Sequence, residues 1–191
     1  MSSLLNTKSS SISRMPETME GPYQKYTDEY GPEVIRYLLI GESPPYTPHD
    51  EEIRYFYNSK NITSQILLST VAYAFINQKF YKGDDKERLL EDLVAIKLFL
   101  IDATYETINT IKNKKIRLKK IMNAYPQLKQ NINNLPLSDD AKIFLIHSNV
   151  TKAIGDKLRG DFRKYKIFDI GFPRYYNDEE FKIRIQNAIQ D

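Results

Sequence analysis

Four short apolar runs stand out along the chain: 34–40 (VIRYLLI), 97–101 (KLFLI), 142–146 (KIFLI) and 166–170 (KIFDI). Each ends in a turn or polar segment, and a helical pattern follows it. From Thr63 the pairs Ile66/Leu67, Thr70/Val71 and Ala74/Phe75 recur at helical spacing, and Leu89, Leu90, Leu93 and Ile96 make a second stripe. After Asp102 the positions Ile108, Ile111, Leu118, Ile121 and Met122 predict a third helix that Pro126 interrupts, with Leu128 and Ile132 in a short second segment. Ser148 or Asn149 is placed to cap a helix carrying Val150, Ala153, Ile154 and Leu158, with Gly160 at its end. Asn177 followed by Glu180 predicts a capping-box start for the last helix, over Phe181, Ile185, Ala188 and Ile189.

Strands apolar on both faces and separated by amphipathic helices imply a parallel sheet covered on both sides. The expected fold is therefore α/β, a three-layer α/β/α sandwich with a four-stranded parallel central sheet. In such sheets ligands bind beyond the carboxyl ends of the strands. That directs attention to residues 41–58, 102–109, 147–151 and 171–177.

Composition narrows the chemistry. The 191 residues are 41% apolar, enough for one domain with its own core. A Ser-rich stretch without periodicity, residues 1–22, reads as a flexible tail ahead of a domain over 23–191; its Lys8 and Arg14, with no acid in the first 15 residues, have a faint transit-peptide character. The balance of 28 basic to 25 acidic residues, +3, makes any nucleic-acid footprint a local matter. The absence of cysteine excludes disulfides, iron–sulfur clusters and thiolate zinc sites and suits a reducing cytoplasm. Two histidines, His49 and His147, are too few for a histidine-rich metal site, and no apolar run reaches the roughly 20 residues that span a bilayer. A cytoplasmic monomer without metal, cofactor or membrane partner is the expectation.

The loop after the first run reads Gly41-Glu42-Ser43-Pro44-Pro45, and Tyr55-Phe56-Tyr57-Asn58 follows shortly after. In that order, and with four strands from about residue 34 to 189, the chain resembles the uracil-DNA glycosylase superfamily, whose first motif reads GQDPYH, GINPG or GEAPG in different branches. The resemblance implies that the aromatic segment stacks on a flipped base, that Asp102 stands where the superfamily has a base-reading Asn, and that the loop holding Arg174, Tyr175 and Tyr176 enters the duplex. It also marks departures. Ser43 occupies the place of the catalytic Asp, Phe172 in Phe172-Pro173-Arg174 that of the His in the last motif, and the cysteines of the iron–sulfur branch are missing. A divergent branch is implied.

The residues themselves suggest roles. Cleaving an N-glycosidic bond needs a base out of the stack, an oriented water and groups that tolerate a cationic sugar and an anionic base. Glu42 is the candidate to orient water, and its alternative is a capping carboxylate. Phe56 and Tyr57 are either stacking faces or core, and Asn58 either a base-edge reader or a turn closer. An ionised Asp102 only accepts hydrogen bonds, which favours a base presenting an amino group or two N–H donors; as a bland alternative it caps the segment from Thr104. His147 is a possible electrophile or a strand-end histidine bonded to backbone. The run 112–120 holds six basic residues and no acid, a face for phosphates or for solvent.

Two functions follow: a DNA glycosylase-like hydrolase acting on a damaged or deaminated base, or a catalytically silent relative that binds nucleic acid or a nucleoside. On the hydrolase reading, Glu42→Gln is expected to keep the shape while lowering turnover.

Overall fold

The structure is a computed structural model that describes residues 29–46, 55–60, 66–173 and 177–191. The expected tail over 1–22 and the proposed duplex-entering residues Arg174 and Tyr175 lie outside the described residues.

The strands are β1 (Ile35–Gly41), β2 (Leu98–Asp102), β3 (Leu137–Leu145) and β4 (Lys166–Asp169), and the helices α1 (Ile66–Ile76), α2 (Lys86–Ala95), α3 (Lys114–Asn134), α4 (Ser148–Asp161) and α5 (Asp178–Gln190). All three ladders are parallel and the order is β2-β1-β3-β4. The four-stranded parallel sheet expected from the alternation is thus present. Each strand carries apolar side chains on both faces because both faces are covered. Phe144 of β3 meets Phe75 of α1 edge-on at 5.7 Å and stacks on Phe168 of β4, and α1 packs against α5 on that side. On the opposite side α3 lies beside α4, and Gly155 of α4 brings the helix close to Leu145.

Two boundaries differ from the sequence pattern for identifiable reasons. Helix α3 begins only at Lys114, where the Asn113 side chain accepts from the backbone N–H groups of Lys115 and Ile116; Ile108 is buried but lies in the preceding loop. The same helix then runs straight through Pro126, which was expected to interrupt it. Pro126 and Met122, whose carbonyl loses its partner, both lie on the exposed face, so water can take that carbonyl. Ile121, Tyr125, Leu128 and Ile132 meanwhile stay buried on the other face and offset the loss. Strand β3 starts earlier than the apolar run, at Leu137, with an irregularity in its pairing to β1 between Ile35 and Tyr37.

The aromatic turn supports the free edge of the sheet. Strand β2 is an edge, and edge backbone groups need partners when buried. The Tyr57 hydroxyl supplies both: it accepts from the Leu100 N–H at 2.6 Å and donates to the Leu100 carbonyl at 3.3 Å. Its ring stacks on Phe99 and on Tyr30. The turn is pinned in its own right by Lys86, a buried lysine whose ammonium donates to the carbonyls of Tyr55 and Asn58.

Removing the hydroxyl alone tests this arrangement. Tyr57→Phe keeps the ring packing but strands a buried N–H, so it should lower stability by about 1–3 kcal/mol in urea denaturation. A change below about 0.5 kcal/mol would mean that water replaces the hydroxyl and that the edge is open.

Candidate functional site

Strand order fixes where the site lies. From β1 the chain crosses to β2 on one side, whereas from β3 it crosses to β4 on the other, so the place where sheets of this kind form a ligand crevice is between the carboxyl ends of β1 and β3. Glu42 follows β1, His147 and Asn149 follow β3, and Asp102 ends β2 in register with Gly41. Three of the candidate residues, Glu42, Asp102 and His147, are therefore brought to one end of three adjacent strands.

Glu42 is 6% exposed. Its carboxylate is held by Arg117 of α3 in a two-point contact, Nε to Oε1 at 3.1 Å and Nη2 to Oε2, and Asn149 Nδ2 donates to Oε1 at 2.7 Å. Neither open crevice carboxylate nor backbone cap describes it. It is one half of an ion pair largely out of water, Arg117 being 21% exposed. The expectation that Glu42→Gln keeps the local shape is corrected by this pairing, because the amide would leave the guanidinium without its counter-charge.

His147 caps α4. Its Nδ1 accepts from the Asn149 N–H at 3.2 Å, which puts the proton of the neutral ring on Nε2, 3.6 Å from Glu42 Oε2. That separation is a charge approach rather than a hydrogen bond. Burial pushes the His147 pKa below its usual value, Glu42 opposes the shift and Arg117 adds to it. The helix cap expected at Ser148 or Asn149 is thus His147 itself. Gly171, in the left-handed region at φ 86°, turns the chain after β4, and Phe172 then packs its ring 5.5 Å from the imidazole.

Asp102 has the most unusual setting. It is 6% exposed, and the described residues give its carboxyl no hydrogen bond. Burial and then the neighbouring Glu42 raise its pKa to about 7. The expectation of a purely accepting, ionised Asp102 is corrected accordingly: near neutrality the group is divided between acid and carboxylate. The glycine at position 41 leaves room for this carboxyl: a Cβ there would stand 2.4 Å from Asp102 Oδ1, and the Asp102 side chain would have to shift. Nor does its side chain cap the segment after it; the N–H groups of Ala103 and Thr104 go to the carbonyls of Gly41 and Glu42.

The proposed base-binding residues Tyr55, Phe56, Tyr57 and Asn58 are all buried. Phe56 meets Tyr57 edge-on at 4.9 Å, and Asn58 closes a turn by accepting from the Lys60 N–H. These side chains are committed to the core and the edge strand. The basic run also divides. Arg117 turns inward to Glu42 and Lys120 pairs with Glu106, while Lys112, Lys114, Lys115 and Lys119 remain exposed. Lys152 of α4 approaches Lys114 closely enough to lower the Lys114 pKa.

Arg117 and Asn149 are the site residues that sequence reasoning assigned elsewhere, to a phosphate face and to a helix cap. A signal existed for Arg117. Positions 117, 121, 125, 128 and 132 follow one helical stripe, and its other four members are buried, so the arginine belongs to the inward line. Among the described residues no group of three or more metal-ligating side chains comes together, and no helix is long and apolar enough to cross a membrane.

No protein-family model matches the chain, and no curated protein and no solved structure matches it either.

Two stability measurements follow. Replacing Glu42 by Gln should cost about 1–3 kcal/mol in urea denaturation, because a charge-assisted pairing is broken and Arg117 is left partly buried. A neutral effect would mean the pair adds nothing. For Asp102, the folded pKa of about 7 lies above the ordinary 3.8. The folded chain therefore holds the extra proton between those values, and this group's contribution is complete below about pH 4 and is lost as pH rises through about 7. Asp102→Asn, neutral throughout, should abolish that loss and make the variant more stable at pH 8 by roughly 2–4 kcal/mol. Parallel denaturation midpoints for both chains from about pH 4 to 8 would refute the assignment.

Proposed function

We propose that the chain is a divergent relative of the uracil-DNA glycosylases that binds a flipped base of DNA in the crevice beyond β1, β2 and β3, with glycosidic hydrolysis slow or absent. The observation that carries this reading is the sheet order β2-β1-β3-β4, with polar residues from three successive strand ends gathered where such sheets bind ligands. Low turnover follows from the state of Glu42. A carboxylate engaged by Arg117 and Asn149 is a weak base and a poor partner for a cationic sugar, since the guanidinium already neutralises it. Ser43 offers no replacement carboxylate, and Phe172 donates no hydrogen bond to a departing base.

A second reading, an active hydrolase, draws on Asp102. A buried carboxyl titrating near 7 is suited to general acid–base chemistry at neutral pH. On this reading Asp102 takes the part that the sequence suggested for Glu42.

The exposed lysines at the start of α3, together with Lys152 of α4, form a rim suited to phosphates beside the crevice. Both helices begin at the carboxyl end of the sheet, so the positive ends of their dipoles face the same side. Arg174 belongs with this rim on the resemblance alone.

Oligonucleotides carrying uracil, hypoxanthine, xanthine or an alkylated base, assayed for binding and for abasic-site formation, separate these readings. Binding should weaken as salt rises, and Lys114→Ala with Lys119→Ala should flatten the dependence of log K on log salt, by about 0.9 for each phosphate left unneutralised on duplex DNA. Abasic sites should form slowly or not at all on uracil. Rapid excision abolished by Asp102→Asn would establish the hydrolase, and salt-independent binding would remove DNA from consideration.

A further inference from the structure

We infer that His147 is an acid-sensitive latch on the start of α4: the neutral ring caps the helix, whereas the protonated ring gives up the cap and binds Glu42. Nucleic-acid binding is not needed for it.

Ser, Thr, Asp and Asn are the favoured helix N-caps, because their oxygens accept backbone N–H groups whatever the pH near neutrality. Ser148 and Asn149 stand next in the chain, yet the helix starts earlier and takes a histidine as its cap. His147 Nδ1 accepts from the Asn149 N–H at 3.2 Å, while the Val150 and Thr151 N–H groups go to the His147 carbonyl at 2.9 and 3.2 Å. A cap of this kind fails on protonation. Imidazolium carries a hydrogen on both nitrogens and accepts at neither, so its Nδ1–H would point at the Asn149 N–H. The ordinary histidine pKa of about 6.5 places that change just below neutrality.

The other nitrogen already has a partner at hand. Nε2 lies 3.6 Å from Glu42 Oε2, the oxygen that also receives Arg117 Nη2, and the Asn149 side chain donates to Oε1 of the same carboxylate at 2.7 Å. His147, Asn149 and Glu42 thus close a ring of contacts in which one proton changes two. The Asn149 N–H loses its acceptor, and Glu42 gains a second cation that competes with Arg117. The charges that face the imidazole are Glu42 at the end of β1 and Arg117 on α3, to which α4 adds the positive end of its dipole. From the loop after β4 the described contact is the uncharged Phe172 ring at 5.5 Å. Burial lowers the pKa of the ring, Glu42 opposes that and Arg117 adds to it, so the latch is closed at neutral pH. With the folded pKa below the unfolded one, the contribution of the cap is complete above about pH 6.5 and is lost as pH falls toward the folded value.

Heteronuclear NMR on the full chain tests the latch without a ligand. At about pH 7.5 the His147 ring should show the tautomer with its hydrogen on Nε2. Between about pH 7.5 and about pH 5 the Asn149 amide signal should move with the midpoint of the ring, and its protection from solvent exchange should fall about tenfold, the loss expected of a missing cap. Neither observation needs a variant. His147→Asn and His147→Ser keep an acceptor that does not titrate, so the Asn149 amide should stay in place over that range, and their spectra separate the His147 ring from His49. His147→Ala, without a cap at any pH, should show the low protection throughout. In urea, the unfolding constant of the natural chain should rise severalfold relative to His147→Asn from about pH 7 to about pH 5. The latch is overturned by a neutral ring that carries its hydrogen on Nδ1, or by a ring still neutral at about pH 5. It is equally overturned by an Asn149 amide that ignores the ring, or that shifts as much in the capping variants as in the natural chain.

Discussion

The Glu42 carboxylate joins three parts of the molecule, the end of β1, α3 and α4, at the carboxyl end of the sheet. It leaves β1 at the switch point of the sheet, takes two hydrogen bonds from Arg117 on α3 and one from Asn149 on α4, and lies within reach of the His147 ring. A carboxylate so far out of water would be costly alone, and the paired guanidinium and amide offset that cost. Such a pair adds less to net stability than its hydrogen bonds suggest, because both charges gave up hydration to form it. Its effect is geometric: α3 and α4 are tied to the end of β1 at one point, beside the His147 ring.

A second carboxyl at the same end of the sheet then has a different fate. Glu42 and Asp102 come from adjacent parallel strands, and Arg117 pairs with Glu42. Asp102 is left with burial and a negative neighbour, and both favour its neutral form. The site therefore holds a compensated carboxylate beside a carboxyl poised to gain or lose a proton. Groups that share a site but differ in environment are driven to different protonation states, and of these two it is Asp102 whose pKa is raised toward neutrality.

Much of this was legible in the chain. The four strands and five helices follow from runs of apolar residues and from stripes at helical spacing, because those patterns express burial directly. The crevice follows as well, since the carboxyl ends of parallel strands are a topological consequence of the alternation. What escaped depended on contacts distant in sequence. Arg117 sat in a run of lysines and shared their charge, and only the buried stripe of α3 sets it apart from them. Pro126 is a local helix breaker, but its position on the exposed face made the break unnecessary. Asp102 reads as an ordinary acid until Gly41, Glu42 and the aromatic turn are placed around it.

The aromatic turn shows why a residue's type alone does not assign its role. Four residues with faces and edges suited to a base, Tyr55 to Asn58, are buried, and Tyr57 among them braces the free edge of the sheet. The Tyr57 hydroxyl satisfies the backbone of Leu100, two residues before Asp102, and Lys86 secures the turn from beneath through two carbonyls. An edge strand with unmet N–H and C=O groups would admit water beside Asp102, and a hydrated carboxyl would return toward its ordinary pKa. The turn thus acts on the strand end from a distance: by satisfying the backbone of β2 at Leu100 it helps to keep Asp102 buried, and that burial is the main cause that raises its pKa.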